Sequence, residues 1–183
     1  MIICETDRLL IRDFVQEDVP AVYAWCSDPE AMRFVLAGGA WTEERSRTYV
    51  EGAIAEASQE PRTNFAVAII LREQERLIGG CRLTVVSSEH REGHIGYGLD
   101  RRFWGRGYAT EAIHALLSFG FDTLRLHRIS SDAIAENVAS VRVLEKVGMA
   151  LEGRSREKYW LEARWWDSVA YGILEHEWRS QQP

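Results

Sequence analysis

Three arginines and two glycines fall within seven residues, Arg101 to Gly107, at the start of RRFWGRGYATEA, although the chain's formal net charge is −6. A strand pattern ends at Asp100 and a helical pattern begins just past Gly107. Such a turn leaves the N–H groups of the first helical turn without intrahelical acceptors. Gly105 and Gly107 take side chains out of the way, so a ligand can approach the backbone closely. Free N–H donors and the positive end of a helix together make an anion site suited to phosphate or pyrophosphate. Arg101, Arg102 and Arg106 add charge to it.

Two familiar phosphate loops do not fit. A Walker A loop needs glycine-lysine followed by serine or threonine, and GRGYAT has no lysine. A dinucleotide fingerprint needs a third glycine where Thr110 stands and an early parallel βαβ unit. This turn instead follows three β-rich stretches joined by short connections. A nicotinamide-dependent redox enzyme therefore conflicts with its setting.

The elements around the turn follow from periodicity. Residues 6–14 roughly alternate and read as a strand; Val19, Val22, Tyr23 and Cys26 recur at helical spacing up to SDPE. Thr42 is placed to cap a second helix, whose apolar face is Tyr49, Val50, Ala53, Ile54 and Ala57. Residues 65–72 and 77–86, joined by EQER, predict a hairpin, and residues 94–100 predict the strand that enters the turn. Ala109, Ala112, Ile113, Leu116 and Leu117 make a helical face behind it. Residues 127–134 read as a strand, and ENVASVRVLEKVGM as a helix with Asn137 near its start and Gly148 as its cap. Two further strands are expected at 151–160 and 166–174. The order β-α-α-β-β-β-α-β-α-β-β predicts one α+β domain over residues 1–183, a mostly antiparallel sheet carrying helices.

Arg102, Gly105 and Gly107 match motif A of the GNAT superfamily of acetyl-CoA-dependent N-acyltransferases. GYATEA, ENVASVRVLEKVGM and WDSVAYGILEHEW follow in the order of its RimJ/RimL-type branch, so the resemblance covers nearly the whole chain. It implies a mixed, mostly antiparallel central sheet flanked by helices, with two splayed strands forming the CoA cleft. It also implies that the turn through Arg102, Trp104, Gly105, Arg106, Gly107, Tyr108 and Ala109 cradles the pyrophosphate of acetyl-CoA. The strand edge at Gly96, Tyr97, Gly98 and Leu99 would pair with the amides of the pantetheine arm.

Acetyl transfer to an amine requires a neutral lone pair, a polarised thioester carbonyl and a leaving thiolate that can be protonated. A free amine is mostly protonated at pH 7, so a base must take its proton. Members of the family commonly have glutamate just before IGY, where this chain has His94. A histidine ordinarily titrates near about 6.5 and can act as a base. Glu92, two residues away, falls on the same strand face if the strand extends that far, and is the second candidate for the catalytic group. The resemblance assigns Ser140 to protonating the thiolate and Asn137 to the CoA arm; both also fit local roles, Asn137 as N-cap and Ser140 as a first-turn residue. Glu111 reads as a first-turn acid favouring the helix dipole, and Cys81 as core. The acceptor pocket is expected from residues 28–41 together with Tyr159 to Trp166, with Trp41 and Trp165 as its walls. Seven tryptophans suit core packing first; the remainder can line that pocket or make a homodimer contact.

Composition narrows the rest. At pI ≈ 5.4 the chain lacks the overall basicity of a nucleic-acid binder. The apolar run Phe65 to Leu71 is far shorter than the roughly 20 residues of a membrane span, and the N-terminus lacks a signal-peptide pattern. Three scattered cysteines fit a reducing compartment, so the expected location is cytoplasmic. His90 and His94 flank a turn, and no metal site is expected. The partner is then an amine-bearing acceptor, a protein N-terminus or a small molecule. A CoA-binding sensor that lost its base at position 94 is the alternative.

Overall fold

The computed structural model describes residues 1–35 and 39–181. Eight strands form one sheet: β1 (Ile2–Glu5), β2 (Leu9–Asp13), β3 (Asn64–Leu71), β4 (Arg76–Ser87), β5 (Glu92–Leu99), β6 (Arg128–Ile134), β7 (Ala150–Leu161) and β8 (Arg164–Leu174). Their order is β1-β2-β3-β4-β5-β6-β8-β7. Every neighbouring pair is antiparallel except β5 and β6. The helices are α1 (Val19–Cys26), α2 (Pro29–Met32), α3 (Glu43–Ala57), α4 (Tyr108–Ser118), α5 (Val138–Lys146) and α6 (Glu175–Ser180). This is the expected α+β architecture of a mostly antiparallel sheet flanked by helices.

Strand β3 explains how the layers form. Its sequence NFAVAIIL is apolar throughout because both of its faces are covered. Phe65, Val67, Ile69 and Leu71 join the larger core, which includes Ala112, Ile113 and Leu116 of α4 and Leu144 of α5. Ala66, Ala68 and Ile70 join a second core with Val19, Val22 and Cys26 of α1 and Val50 and Ala53 of α3. The sheet therefore has an α1–α3 face and an α4–α5 face.

Local signals act as expected at several ends. The Thr42 hydroxyl accepts the Arg45 N–H at 3.2 Å and starts α3, and Gly148 takes φ 84 just past α5. Elsewhere the boundaries move. The strand expected at 6–14 is confined to Leu9–Asp13, because Thr6 to Arg8 turn back to a preceding strand, β1, that the alternation did not reveal. Helices α2 and α6 were too short for periodicity to find. No helix among the described residues is long and apolar enough to cross a membrane.

Candidate active site

Strands β5 and β6 are paired through Glu92–Arg128, Gly93–Ile129 and His94–Ser130. Past that point the two run on to Leu99 and Ile134 with no backbone pairing between them among the described residues. The buried Ser131 hydroxyl donates to the Ile95 carbonyl at 2.8 Å and closes the apex of the resulting cleft. Gly96 to Leu99 line its β5 side, and their backbone groups facing β6 are unclaimed by that strand.

The glycine turn stands at the open end of β5. Asp100 accepts the Arg102 N–H at 2.9 Å and forms an ion pair with the Arg102 guanidinium, and Trp104 Nε1 donates to the Leu99 carbonyl at 2.9 Å. The Arg102 side chain is thus already held, and what it adds to the turn is mainly shape. Burial opposes ionisation of Asp100, but the Arg102 contacts outweigh it and hold its pKa below the usual carboxylate value. Gly105 and Gly107 sit at φ 72 and φ 80, a left-handed conformation that glycine adopts without a Cβ penalty. Gly107 is the N-cap of α4, and no side chain among the described residues caps that end. The first-turn N–H groups through Tyr108 and Ala109 are left to a ligand or water.

Sequence reasoning missed how this turn is braced. Glu111 accepts the Thr6 hydroxyl at 2.5 Å, the Arg8 N–H at 3.1 Å and Arg8 Nε at 2.6 Å. Arg8 Nη1 also donates to the Arg106 carbonyl at 3.0 Å, and its guanidinium lies 4.7 Å from the Tyr108 ring centre. The β1–β2 connection thereby clamps the start of α4, and Glu111 is structural, as its place in the first turn suggested. Only strand β1, absent from the periodicity, would have brought Thr6 and Arg8 into view.

Residues of β5 alternate between the two sheet faces. Tyr97 points to the α4–α5 side, where its hydroxyl meets the Ser140 Oγ at 2.9 Å and donates to the Ser140 carbonyl at 3.1 Å. Burial pushes the Tyr97 pKa up to about 12, so it stays protonated. Asn137 Oδ1 accepts the Ser140 N–H at 3.2 Å and caps α5, the local role its position allowed.

His94 and Glu92 point to the α1–α3 side. Glu92 is tied to Arg128 at 3.3 Å, and Arg128 also pairs with Glu152. His94 Nδ1 lies 3.4 Å from the Ser130 hydroxyl, and its Nε2 lies 3.5 Å from Asp132 Oδ1. Asp132 Oδ2 accepts the Tyr159 hydroxyl at 3.0 Å. Alternation in RISSDAI puts Ser130 and Asp132 on one face, but their meeting with His94 depends on a parallel register between distant strands.

On the same side the two segments expected to form an acceptor pocket come together. Phe34 packs edge-on against Trp166 with ring centres 5.6 Å apart, and Arg33 pairs with Glu162 at 3.4 Å. Residues 36–38 of the 28–41 segment lie outside the described residues. The register turns Trp165 away: it is paired with Trp160, and both indoles lie on the opposite face from Tyr159 and Trp166. Trp41 packs on Tyr49 of α3, ring centres 5.2 Å apart. Cys81 is fully enclosed, and burial raises its pKa, consistent with a core residue.

The arrangement is a cleft with a glycine turn and an uncapped helix start at one end, a hydroxyl pair on one sheet face and a histidine beside a carboxylate on the other. Comparison with known proteins gives it a family. The acetyltransferase (GNAT) domain family matches residues 8–150. An uncharacterized N-acetyltransferase, YnaD, from Bacillus subtilis (strain 168) is 35% identical over 94% of this chain and 97% of its own length. The crystal structure of a GNAT-family acetyltransferase from Bacillus anthracis superposes with a TM-score of 0.84 at 34% identity, covering 96% of this chain and 99% of that one. RimL, a ribosomal L7/L12 alpha-N-protein acetyltransferase crystallised with coenzyme A, shares the fold at TM-score 0.84 and 21% identity, over 95% and 98% of the two chains. The chain belongs to the GNAT acetyltransferase family and is an N-acetyltransferase.

Proposed function

We propose that this protein, acting as one domain, transfers the acetyl group of acetyl-CoA directly to a primary amine in a ternary complex. The observation that carries the proposal is the separation of β5 from β6 immediately beyond His94, beside an uncapped helix start at Gly107. The N–H groups from Gly105 to Ala109 hold the pyrophosphate, those of Arg102, Phe103 and Trp104 being bonded within the turn, and Gly96 to Leu99 pair with the pantetheine amides. CoA supplies the thioester; the chain's own residues orient it and move protons. His94 takes the amine's proton on one sheet face. The Tyr97–Ser140 hydroxyl pair, on the other, returns a proton to the departing sulfur.

The acceptor enters from the α1–α3 side, past Phe34 and Trp166. We favour a protein N-terminus of the ribosomal-protein type, in keeping with the RimJ/RimL-like motif order, over a small amine. The three free cysteines fit a reducing, cytoplasmic location, and the exposed Trp160–Trp165 pair offers a homodimer contact. Enzymatic relatives argue against a sensor without activity.

The test is release of the coenzyme thiol from acetyl-CoA in the presence of an alanine-starting hexapeptide, spermidine or an aminoglycoside. Amine-dependent release is expected, fastest with the peptide. Release that does not depend on any amine contradicts the proposal.

A further inference from the structure

Asp132 stands on β6 two residues beyond the last pairing with β5, facing His94. The side chains of both residues are partly open, 27% exposed for Asp132 and 39% for His94. The hydrogen-bond chain beneath them favours one histidine tautomer. With Ser130 Oγ donating to the Gly93 carbonyl at 3.2 Å, a hydroxyl lone pair faces His94 Nδ1 at 3.4 Å, the arrangement that suits a proton on Nδ1. Nε2 then presents its own lone pair toward Asp132 Oδ1, 3.5 Å away. The two acceptors stand 3.5 Å apart at a partly exposed place, a spacing that one nitrogen with several N–H donors and a positive charge can bridge.

Two arginines near it on this face already have acidic partners. Arg128 is shared between Glu92 and Glu152, and Arg33 holds Glu162. Among the described residues Asp132 has, besides His94, one weak cationic partner: Lys158 Nζ, on the exposed strand β7, lies 4.0 Å from Oδ2. Tyr159 donates to that same oxygen at 3.0 Å and fixes the carboxylate's orientation, leaving Oδ1 turned to the histidine.

We propose that Asp132 receives the ammonium of the acceptor beside His94, with Lys158 as the counter-ion that the acceptor replaces. This rests on the acetyl-transfer reading above. One N–H of the ammonium bonds Oδ1 and another points at Nε2. That second proton passes to Nε2, the freed nitrogen lone pair forms the N–C bond to the acetyl carbon, and the C–S bond breaks. The thiolate is protonated from the Tyr97–Ser140 side, the second proton that the acylated nitrogen must lose to become a neutral amide goes to solvent, and the hydroxyl pair recovers its proton from solvent. The imidazolium, held beside the Asp132 carboxylate, gives its proton to solvent. The amide nitrogen formed no longer carries a charge, so Asp132 holds product less well than substrate.

The test is steady-state kinetics of the full chain with acetyl-CoA and the same three amines. Asp132→Asn is expected to raise the amine KM about tenfold, the cost of losing a charged hydrogen-bond partner, with the acetyl-CoA KM unchanged. Asp132→Glu, which keeps the charge, recovers part of that loss. Lys158→Met removes the competing ammonium and lowers the amine KM about twofold. These opposite signs separate recognition from a general loss of packing. An unchanged amine KM in Asp132→Asn, an equal rise in the acetyl-CoA KM, or a higher amine KM in Lys158→Met overturns the proposal. If Asp132→Asn fails to fold, the sign of Lys158→Met decides. Wild-type protein that transfers to none of the amines overturns this proposal together with the reading beneath it, whereas active wild type with an unaffected Asp132→Asn overturns this proposal alone.

Discussion

The hydroxyls of Tyr97 and Ser140 stand 2.9 Å apart and join the cleft strand β5 to the first turn of α5. The bond bridges the α4–α5 face where the resemblance places the thioester sulfur. Ser140→Ala leaves the capping bond to its backbone N–H intact. It is expected to lower kcat about tenfold, less than a typical general acid because a thiolate is a modest base. Tyr97→Phe lowers it further by freeing the serine. Because burial raises the Tyr97 pKa to about 12, the pair keeps its protons throughout the ordinary alkaline assay range. Steady-state rates of both variants, with circular dichroism to confirm folding, check this.

Phe34 and Trp166 meet on the α1–α3 side, where we propose that the acceptor enters, while Trp165 lies on the other face. Phe34→Ala is expected to raise the amine KM by about threefold to tenfold, in line with losing a half-buried ring, and to leave the acetyl-CoA KM in place. Trp165→Ala leaves both constants unchanged. A rise in the amine KM for Trp165→Ala alone would put the pocket on the wrong face.

Glu111 links the N-terminal turn to α4, and its pKa is lowered: burial opposes ionisation, but the bonds from Thr6 and Arg8 outweigh it. A carboxylate with a depressed folded-state pKa contributes stability that is present above its unfolded value and lost as pH falls through the folded one. Glu111→Gln is therefore expected to unfold more easily than wild type at neutral pH, by about 1.5 kcal/mol. The gap should close on acidification below the ordinary glutamate range. Urea melts at neutral and acid pH measure it; a gap that widens in acid contradicts the clamp.

His94→Gln keeps a hydrogen-bonding side chain at the same place without a basic nitrogen. Loss of a general base costs about a hundredfold to ten-thousandfold in kcat/KM for the amine. Glu92→Gln is expected to cost much less, since Glu92 is engaged by Arg128 at 3.3 Å and is not the group facing Asp132. A folded His94→Gln enzyme at wild-type rate would pass the base role to water or to no side chain.

The glycine turn was legible because its requirements are local: a strand end, two residues free of Cβ and a helix start lie within twenty residues. The hairpin of β3 and β4 and the cap at Thr42 were legible for the same reason. The residues that sequence reading passed over act through distant partners. Arg8 reaches Glu111 and Arg106 across the sheet's edge, and Asp132 reaches His94 only through the register of β5 with β6. Trp165, expected beside Trp166 as a pocket wall, faces the other side of the sheet, since in a strand a step of one exchanges the faces. Asn137 shows the reverse: its local capping role was readable, and the structure displays it.

The placement of the CoA cleft is tested most directly at Gly107, where φ 80 and the N-terminus of α4 coincide. The measurement is calorimetric titration of CoA into wild type and into Gly107→Val, with folding of each verified. A valine there is strained by the left-handed backbone, and its first carbon alone would come within 3.5 Å of Arg8 Nη2. The account predicts at least tenfold weaker binding in the variant, about 1.4 kcal/mol. Equal CoA affinity in a folded Gly107→Val protein would contradict it.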